Sequence, residues 1–182
     1  MSALWGLAAR LTKLLIDARE PLIGQIKLAW WRDMAAMLAS EPAGLPKGEP
    51  LLAELQQTWA GQGGLDALVD AAEAMLLADD ADQKRTAAES FGAQLFILSG
   101  GDAEGGKRWG LIWGAGVEDG EREARDLLEQ AKRIAPPPRS VFVRNRSLLM
   151  LDRWAAAIAQ SDGERHLRAE GVLLLRIGLF GL

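Results

Sequence analysis

Cysteine is absent from the 182-residue chain, and histidine occurs once, at His166. The lack of thiols excludes disulfides, thiolate metal sites and a cysteine nucleophile, and it is compatible with a reducing compartment. His166 stands among Glu164, Arg165 and Arg168. This charged setting predicts a solvated side chain rather than a metal ligand or a member of a serine–histidine triad.

Long apolar runs are also lacking. The longest, GVLLLRIGLFGL at 171–182, is far shorter than the ~20 residues of a membrane span, and Arg176 interrupts it. Arg10 and Lys13 lie inside the apolar amino-terminal stretch, which has no cleavage-site pattern and so predicts an amphipathic helix rather than a signal peptide. We therefore expect a cytoplasmic protein.

A surplus of positive charge is missing as well. The net charge is −4 and both signs are interspersed, which argues against a nucleic-acid partner. One local exception is basic: Lys132, Arg133, Arg139, Arg144, Arg146 and Arg153. With the apolar run at 171–182, this region suggests peripheral contact with the inner face of a membrane. The favoured alternative is a last helix that covers the core.

β-Branched residues are few, whereas alanine, leucine and arginine dominate and apolar residues make up 49% of the chain. Helical periodicity recurs almost throughout. Helices are predicted at residues 3–17, 20–39, 49–60, 65–77, 82–99, 106–114, 119–134, 140–159 and 163–178. Glycine- and proline-rich breaks separate them, and none is long enough for an interdomain linker. We predict an all-α protein, a single compact helical bundle over residues 1–182.

The most informative stretch is REPLIGQIKLAWWRDMAAML at 19–38, with Pro21 suited to the first turn of a helix. Two adjacent faces are apolar, which predicts a helix packed on two sides. The first holds Leu22, Ile26, Ala29, Trp30 and Met37, and the second Ile23, Trp31, Met34 and Leu38. Polar residues are sparse. The candidate ligand-binding residues are Gln25, Trp30, Trp31, Arg32 and Asp33.

The segment EPLIGQIKLAWWRD resembles the early helix of the squalene/phytoene synthase family. It is most similar to the bacterial and mitochondrial branch, which reads E-P, two hydrophobic residues, G-[EQ] and then a run ending in W-W-R. The resemblance implies the α-helical isoprenoid synthase fold. It also implies what an active member needs, which is two aspartate-rich motifs that hold magnesium against prenyl diphosphates.

The chain departs from that pattern at both motifs. Residues 7–12, where the first should lie, contain no acidic side chain, and Lys13 stands one turn before Asp17. The segment after 116–121 lacks the second, and the chain is about a hundred residues shorter than the enzymes. We therefore assign no catalytic and no metal-binding residue, and no cofactor.

Two functions follow from the resemblance. The first is a non-catalytic, shortened member that binds an isoprenoid or other lipid, or acts as an assembly scaffold, like the branch that assists respiratory complex I assembly. Its partner would be a prenyl lipid or a protein. The alternative is a magnesium-dependent prenyltransferase that joins prenyl diphosphates head to head in isoprenoid, carotenoid or hopanoid biosynthesis.

Other patterns have ordinary explanations. The acidic cluster at 79–82 predicts a helix end followed by an N-cap at Asp82. Gly101 to Lys107 fits the spacing of a phosphate-binding loop, with LFILSG as its strand and Asp152 as a metal-holding residue. Arg108 in place of the required Ser or Thr argues against that function, and a flexible helix connection is favoured.

Trp109 and Trp113 lie one helical turn apart. They should stack on one face of their helix, and core packing is favoured over a remnant of a prenyl-chain tunnel.

Overall fold

The structure, a computed structural model, describes residues 2–143 and 145–180. Within these ranges it contains helices and no strand, so the all-α prediction is confirmed. The helices are α1 (Ser2–Ile16), α2 (Pro21–Ser40), α3 (Pro50–Trp59), α4 (Leu65–Leu77), α5 (Ala81–Leu98), α6 (Ala103–Val117), α7 (Glu121–Arg133), α8 (Arg146–Gln160) and α9 (Leu167–Phe180). Short 3-10 helices occupy Pro42–Gly44 and Arg139–Phe142. Arg144 of the basic region and residues 181–182 of the apolar run lie outside the described residues.

Contacts divide the chain into two compact units, the first ending at Leu77 and the second beginning at Ala78. The first unit contains α1 to α4, and its core is built largely of leucine side chains from all four helices. The second contains α5 to α9, with the most extensive contact between α5 and α6. The interpretation of the whole chain as one domain stays a prediction.

The start of α5 differs from the prediction. Asp80, not Asp82, is the N-cap, because its extended backbone lets its carboxylate accept a hydrogen bond from the Gln83 amide at 2.8 Å. Asp82 lies within the first turn and pairs with Arg85 at 3.2 Å. The cluster thus serves helix initiation, as expected, but from a different residue.

Of the stretch considered as a phosphate-binding loop, only Gly101 and Asp102 lie between α5 and α6, and residues 103–107 belong to α6. LFIL belongs to the end of α5 and not to a strand. Asp102 caps α6 by accepting a hydrogen bond from the Glu104 amide at 2.9 Å, and Lys107 pairs with Glu104 at 2.5 Å. The favoured flexible helix connection is therefore wrong for residues 103–107, because α6 extends beyond the predicted 106–114 at both ends.

The predicted helix at 140–159 is interrupted. A 3-10 helix precedes α8, and Asn145 caps α8 by accepting a hydrogen bond from the Leu148 amide at 3.3 Å. The Asn145 amide also donates to the Ser99 carbonyl at 2.9 Å. This side chain thus bonds a backbone amide of α8 and a backbone carbonyl at the end of α5, so it fixes where α8 begins.

Glycines allow α5 and α6 to approach closely. A methyl group at Gly106 would lie 2.1 Å from the carbonyl oxygen of Gly92, and one at Gly110 would lie 2.1 Å from that of Ala88. Beside this crossing the Trp113 ring stacks on Phe91, with ring centroids 3.8 Å apart and planes at 8°. Trp113 is buried, which confirms the core-packing interpretation for that residue.

Trp109, one turn earlier on α6, is half-buried and packs beside Phe96 with ring centroids 6.3 Å apart. Each tryptophan of this pair thus has an aromatic neighbour on α5. Contacts of this kind add to the apolar area that the side chains bury.

The sequence favoured a last helix that covers the core, but α9 leaves most of its large apolar side chains exposed. Ile177 is the buried apolar residue of α9, whereas Leu167, Val172, Leu175 and Leu179 are exposed. His166, just before α9, is exposed as predicted. Among the helices in the described part of the chain, none combines the length and apolar character that a bilayer span requires.

Candidate functional site

The helix α2 buries one face and exposes the other. Gly24, Leu28, Trp31, Met34, Ala35 and Leu38 are buried. Leu22 and Ile26 are exposed to 66% and 63%, and Ile23 and Trp30 are exposed as well. The prediction of a helix packed on two sides is therefore wrong, because the contacts of α2 with α1, α3 and α4 fall on one side. We call Leu22, Ile23, Ile26 and Trp30 the α2 strip.

A groove lies beside the α2 strip, where α1 turns into α2. Its volume is about 290 Å³, at the lower end of the range for small-ligand pockets. The apolar part of its wall is formed by Leu14, Ala18, Ile23 and Gly24. Ile23 belongs to both the groove and the α2 strip, and Trp30 follows it by seven residues on the same helix face. Ile23 thus joins the groove to the α2 strip, and Lys27 stands beside it at the rim.

The rim of the groove is charged and leans positive. Asp17, Arg19, Glu20 and Lys27 contribute to it. Lys13 neutralises Asp17 at a distance of 2.8 Å, and this hydrogen bond lowers the pKa of the Asp17 carboxyl. Among the described residues, no ion pair or side-chain hydrogen bond involves Arg19 or Lys27. The remaining balance, two cations against Glu20, favours an anionic group at the rim.

The two adjacent tryptophans have different environments. Trp31 is 4% exposed, and the Arg10 guanidinium lies 5.9 Å from its ring centroid. Trp30 is 38% exposed and meets Trp31 edge to face, with centroids 4.9 Å apart. Of the two, only Trp30 presents its ring to solvent from α2. Both were predicted to pack, because the burial of adjacent helical residues can be distinguished only once the neighbours of the helix are known.

Arg32 forms a clamp between α2 and α4. Its Nε donates to Asp70 Oδ1 at 2.5 Å, and its Nη2 donates to Glu73 Oε2. The bond to Glu73 and then that to Asp70 raise the pKa of Arg32. The two carboxylates are three residues apart and so share one face of α4. The sequence shows the spacing of Asp70 and Glu73, but it does not show that Arg32 pairs with them.

The other two candidate polar residues are less engaged. Asp33 is exposed and lies on the same side of α2 as Ile26 and Trp30, which is the side that the structure leaves in solvent. Gln25 is half-buried. A role in ligand binding for Gln25, Trp30, Trp31, Arg32 and Asp33 stays a prediction. In the structure Trp31 and Arg32 pack and pair within the protein, while Trp30 and Asp33 face outward.

Apolar side chains fill the positions where the resemblance would place the first acidic motif. Leu7, Ala8 and Leu11 are all buried in the core of the first unit. Their burial explains why this stretch of α1 is apolar. In residues 2–143 and 145–180, three or more histidine or acidic side chains do not come together as a possible metal site.

The second unit contains a buried ion pair. Arg108 Nη1 of α6 donates to Asp152 Oδ1 of α8 at 2.7 Å, and its Nη2 donates to the Ile134 carbonyl at 2.5 Å. Arg153 donates to the other oxygen of Asp152 at 3.0 Å. Burial raises the pKa of Asp152, against the opposing effect of Arg108 and Arg153. These two residues, considered separately in the phosphate-loop alternative, are structural partners.

No protein-family model, curated protein or solved structure matches this chain. The resemblance to the squalene/phytoene synthase family therefore stays a prediction that depends on the sequence of the second helix and its surroundings. The all-α fold stands independently of it, because it follows from the helices themselves.

Proposed function

We propose that the protein is a non-catalytic helical protein that binds an amphiphilic lipid of isoprenoid type along the α1–α2 groove and the α2 strip. The observation that carries the proposal is that Ile23 belongs both to the groove and to the α2 strip, where Ile26 and Trp30 are also exposed. An apolar chain laid there would cover side chains that the protein itself leaves in water. Covering apolar surface contributes about 25 cal/mol per Å².

The charged rim supports the amphiphilic character of the ligand. Arg19 and Lys27 lie at the groove while the apolar residues extend away from it along α2. A phosphate or carboxylate at the rim and a hydrocarbon chain on the strip match this order. Asp17 does not oppose an anionic group strongly, because Lys13 already pairs with it.

The non-catalytic part of the proposal rests on how the relevant residues are used. Packing residues occupy the place of the expected first motif, and Arg32 engages Asp70 and Glu73. A carboxylate pair that is already neutralised by a guanidinium is a poor metal site until the arginine moves. A scaffold role uses the same exposed strip, with an apolar helix of a protein partner in place of the lipid chain.

Calorimetric titration of the protein with farnesol and with farnesyl monophosphate measures their affinities and tests the proposal. We expect both to bind and the phosphate to bind more tightly. Ile23→Gln should weaken both ligands, because it places an amide in the apolar wall. Lys27→Gln should remove the advantage of the phosphate and leave farnesol binding unchanged.

The matched control is Ile97→Gln, which changes a similarly exposed isoleucine on α5. Equal effects of Ile23→Gln and Ile97→Gln, or no binding of either ligand, would contradict lipid binding at the groove. Capture of an amphipathic peptide that competes at the same variants, without lipid binding, would favour the scaffold role instead.

An assay of catalysis, rather than of binding affinity, distinguishes the prenyltransferase alternative from the non-catalytic proposal. Incubation with farnesyl diphosphate and magnesium should release no diphosphate above the level of a buffer control. Enzyme-like release that disappears on chelation would overturn the non-catalytic proposal. Arg32→Gln, which frees Asp70 and Glu73, is the variant in which such an activity would be enhanced if these carboxylates could hold magnesium.

A further inference from the structure

The helix α9 carries more exposed than buried large apolar side chains. Leu167, Val172, Leu175 and Leu179 are between 59% and 70% exposed. At 100° per residue they fall on one arc, which also contains exposed Gly171 and, in the first turn, exposed Arg168. We call this surface the α9 face. An arc of this size is unusual on a helix that only caps a bundle.

The charges beside the α9 face have a single sign. Arg168 and Arg176 are exposed, and no ion pair or hydrogen bond joins their side chains to another described residue. Arg146 of α8 donates to the Gly178 carbonyl at 2.8 Å, a contact that leaves its charge uncompensated. The α9 surface is therefore basic although the chain as a whole has a net charge of −4.

The one acidic residue of α9 is turned inward. Glu170 is buried, where Trp154 Nε1 donates to it at 2.8 Å and Arg165 Nη2 pairs with it at 2.9 Å. The His166 amide donates to the same carboxylate at 2.8 Å. With Ile177 also buried, these contacts fix the rotation of α9 against α8. The apolar arc consequently points outward as a result of packing.

We propose that the α9 face docks in the plane of a lipid bilayer that contains anionic headgroups. Leucine and valine side chains would enter the boundary between headgroups and acyl chains. The long side chains of Arg168, in the first turn, and Arg176, beside the arc, would reach to the level of the phosphates. A second copy of the chain fits less well. Two α9 faces brought together would place Arg168 and Arg176 of each copy near like charges, with no exposed carboxylate of α9 to pair with them.

Co-sedimentation of the full chain with vesicles tests this docking. Vesicles of phosphatidylcholine mixed with phosphatidylglycerol should bind the protein, and pure phosphatidylcholine should bind it much more weakly. Arg168→Gln with Arg176→Gln should reduce binding to the mixed vesicles roughly 30-fold, at ~1 kcal/mol for each arginine near an anionic surface. Added salt should weaken the wild type more than this variant.

Leu175→Gln with Leu179→Gln should abolish binding to both vesicles, since it removes apolar burial and keeps the charges. Arg122→Gln with Arg125→Gln, on exposed positions of α7, is the matched charge control and should leave binding unchanged. Circular dichroism of each variant checks that helices are retained.

Equal weakening by the α7 and α9 charge variants would overturn the proposal, because binding would then be non-specific. A different outcome is a wild type that forms dimers and does not bind vesicles. If Leu175→Gln with Leu179→Gln converts these dimers to monomers, the face would be assigned to self-association instead. Neither result concerns the groove of the first unit, so the proposed lipid-binding function succeeds or fails separately.

Discussion

Arg108 on α6 and Asp152 on α8 form an ion pair, 2.7 Å between Nη1 and Oδ1, in which both side chains are buried. They are 44 residues apart in sequence. A buried charge is tolerated only with a partner of good geometry, and here each group has further hydrogen bonds. The pair fixes the position of α8 on α6 more specifically than apolar contacts could.

Removal of Asp152 should be strongly destabilising. Asp152→Ala leaves Arg108 buried without its carboxylate, so we expect the free energy of unfolding to fall by about 3–5 kcal/mol. Denaturant titration followed by circular dichroism measures the change. Arg108→Met combined with Asp152→Leu should cost much less than Asp152→Ala, because no unpaired charge remains. Arg85→Gln, in an exposed pair, should cost less than about 1 kcal/mol. A double variant as unstable as Asp152→Ala would show that packing, not charge, dominates.

The glycines at the α5–α6 crossing should not tolerate a methyl group. Gly110→Ala would place a Cβ 2.1 Å from the Ala88 carbonyl oxygen, so the helices must separate. We expect about 1–3 kcal/mol of destabilisation, which outweighs a gain in helix propensity of up to about 1 kcal/mol. Thermal unfolding of Gly116→Ala provides the comparison. No neighbour lies within 4 Å of a methyl group at Gly116, so that variant should be neutral or slightly more stable. Similar melting temperatures for both variants would refute the close approach.

The clamp between α2 and α4 should depend on the shape of the guanidinium. Arg32→Gln should lower the free energy of unfolding by about 1 kcal/mol, a modest value because the group is partly exposed to solvent. Arg32→Lys should recover only part of the loss, since one ammonium group cannot reproduce a fork that reaches Asp70 and Glu73. Denaturant titrations at low and high salt measure both effects. Lys27→Gln on the same helix is the control and should leave the free energy of unfolding unchanged. If it lowers that free energy as much as Arg32→Gln does, the overall charge of the helix would explain the effect, and the bonds to Asp70 and Glu73 would not.

Glu170 should make stability depend on acidity. Its bonds to Arg165 and Trp154 lower the pKa of its carboxyl below the ordinary 4.5. A lowered pKa in the folded state means that its stabilising effect is fully present above the unfolded pKa and is lost as the pH falls through the folded pKa. The melting temperature of wild type should therefore exceed that of Glu170→Gln by a constant amount at neutral pH, and the gap should close in acid. Glu164→Gln, at an exposed position before α9, should show no such pH-dependent gap. A difference in melting temperature that persists unchanged at low pH would show that the ionised Glu170 carboxylate is not its cause.

Several features of the fold could be predicted from the sequence because they have local causes. The bounds of α4, Leu65–Leu77, match the prediction, since glycines precede that helix and apolar residues repeat at helical spacing. Prolines at 21 and 50 begin α2 and α3, where a missing amide hydrogen carries no cost. The error at Asp80 and Asp82 is equally instructive. Both residues are aspartates, two positions apart, and the sequence does not specify which of them has the extended backbone of a cap.

The candidate site was predictable only in part. A helix at 20–39 was correctly predicted, but the side that carries Ile26, Trp30 and Asp33 was expected to pack and is exposed. The groove at the α1–α2 turn could not be foreseen, because it depends on the angle at which two helices meet. The same holds for the α2 strip, whose apolar residues looked like core until the neighbours of α2 were known to lie on one side.

The sequence by itself determined the helical class, the absence of thiol chemistry and the places where helices break, because propensity, composition and caps act over a few residues. The tertiary structure decided which apolar faces are covered. Leu38 and Ile26 were both predicted to lie on packed faces of α2, yet Leu38 is buried and Ile26 is exposed. Arg108 and Asp152 likewise form an ion pair because the fold brings together two residues that are 44 positions apart in sequence. Burial and pairing depend on which surfaces the fold brings together, and no local pattern contains that information.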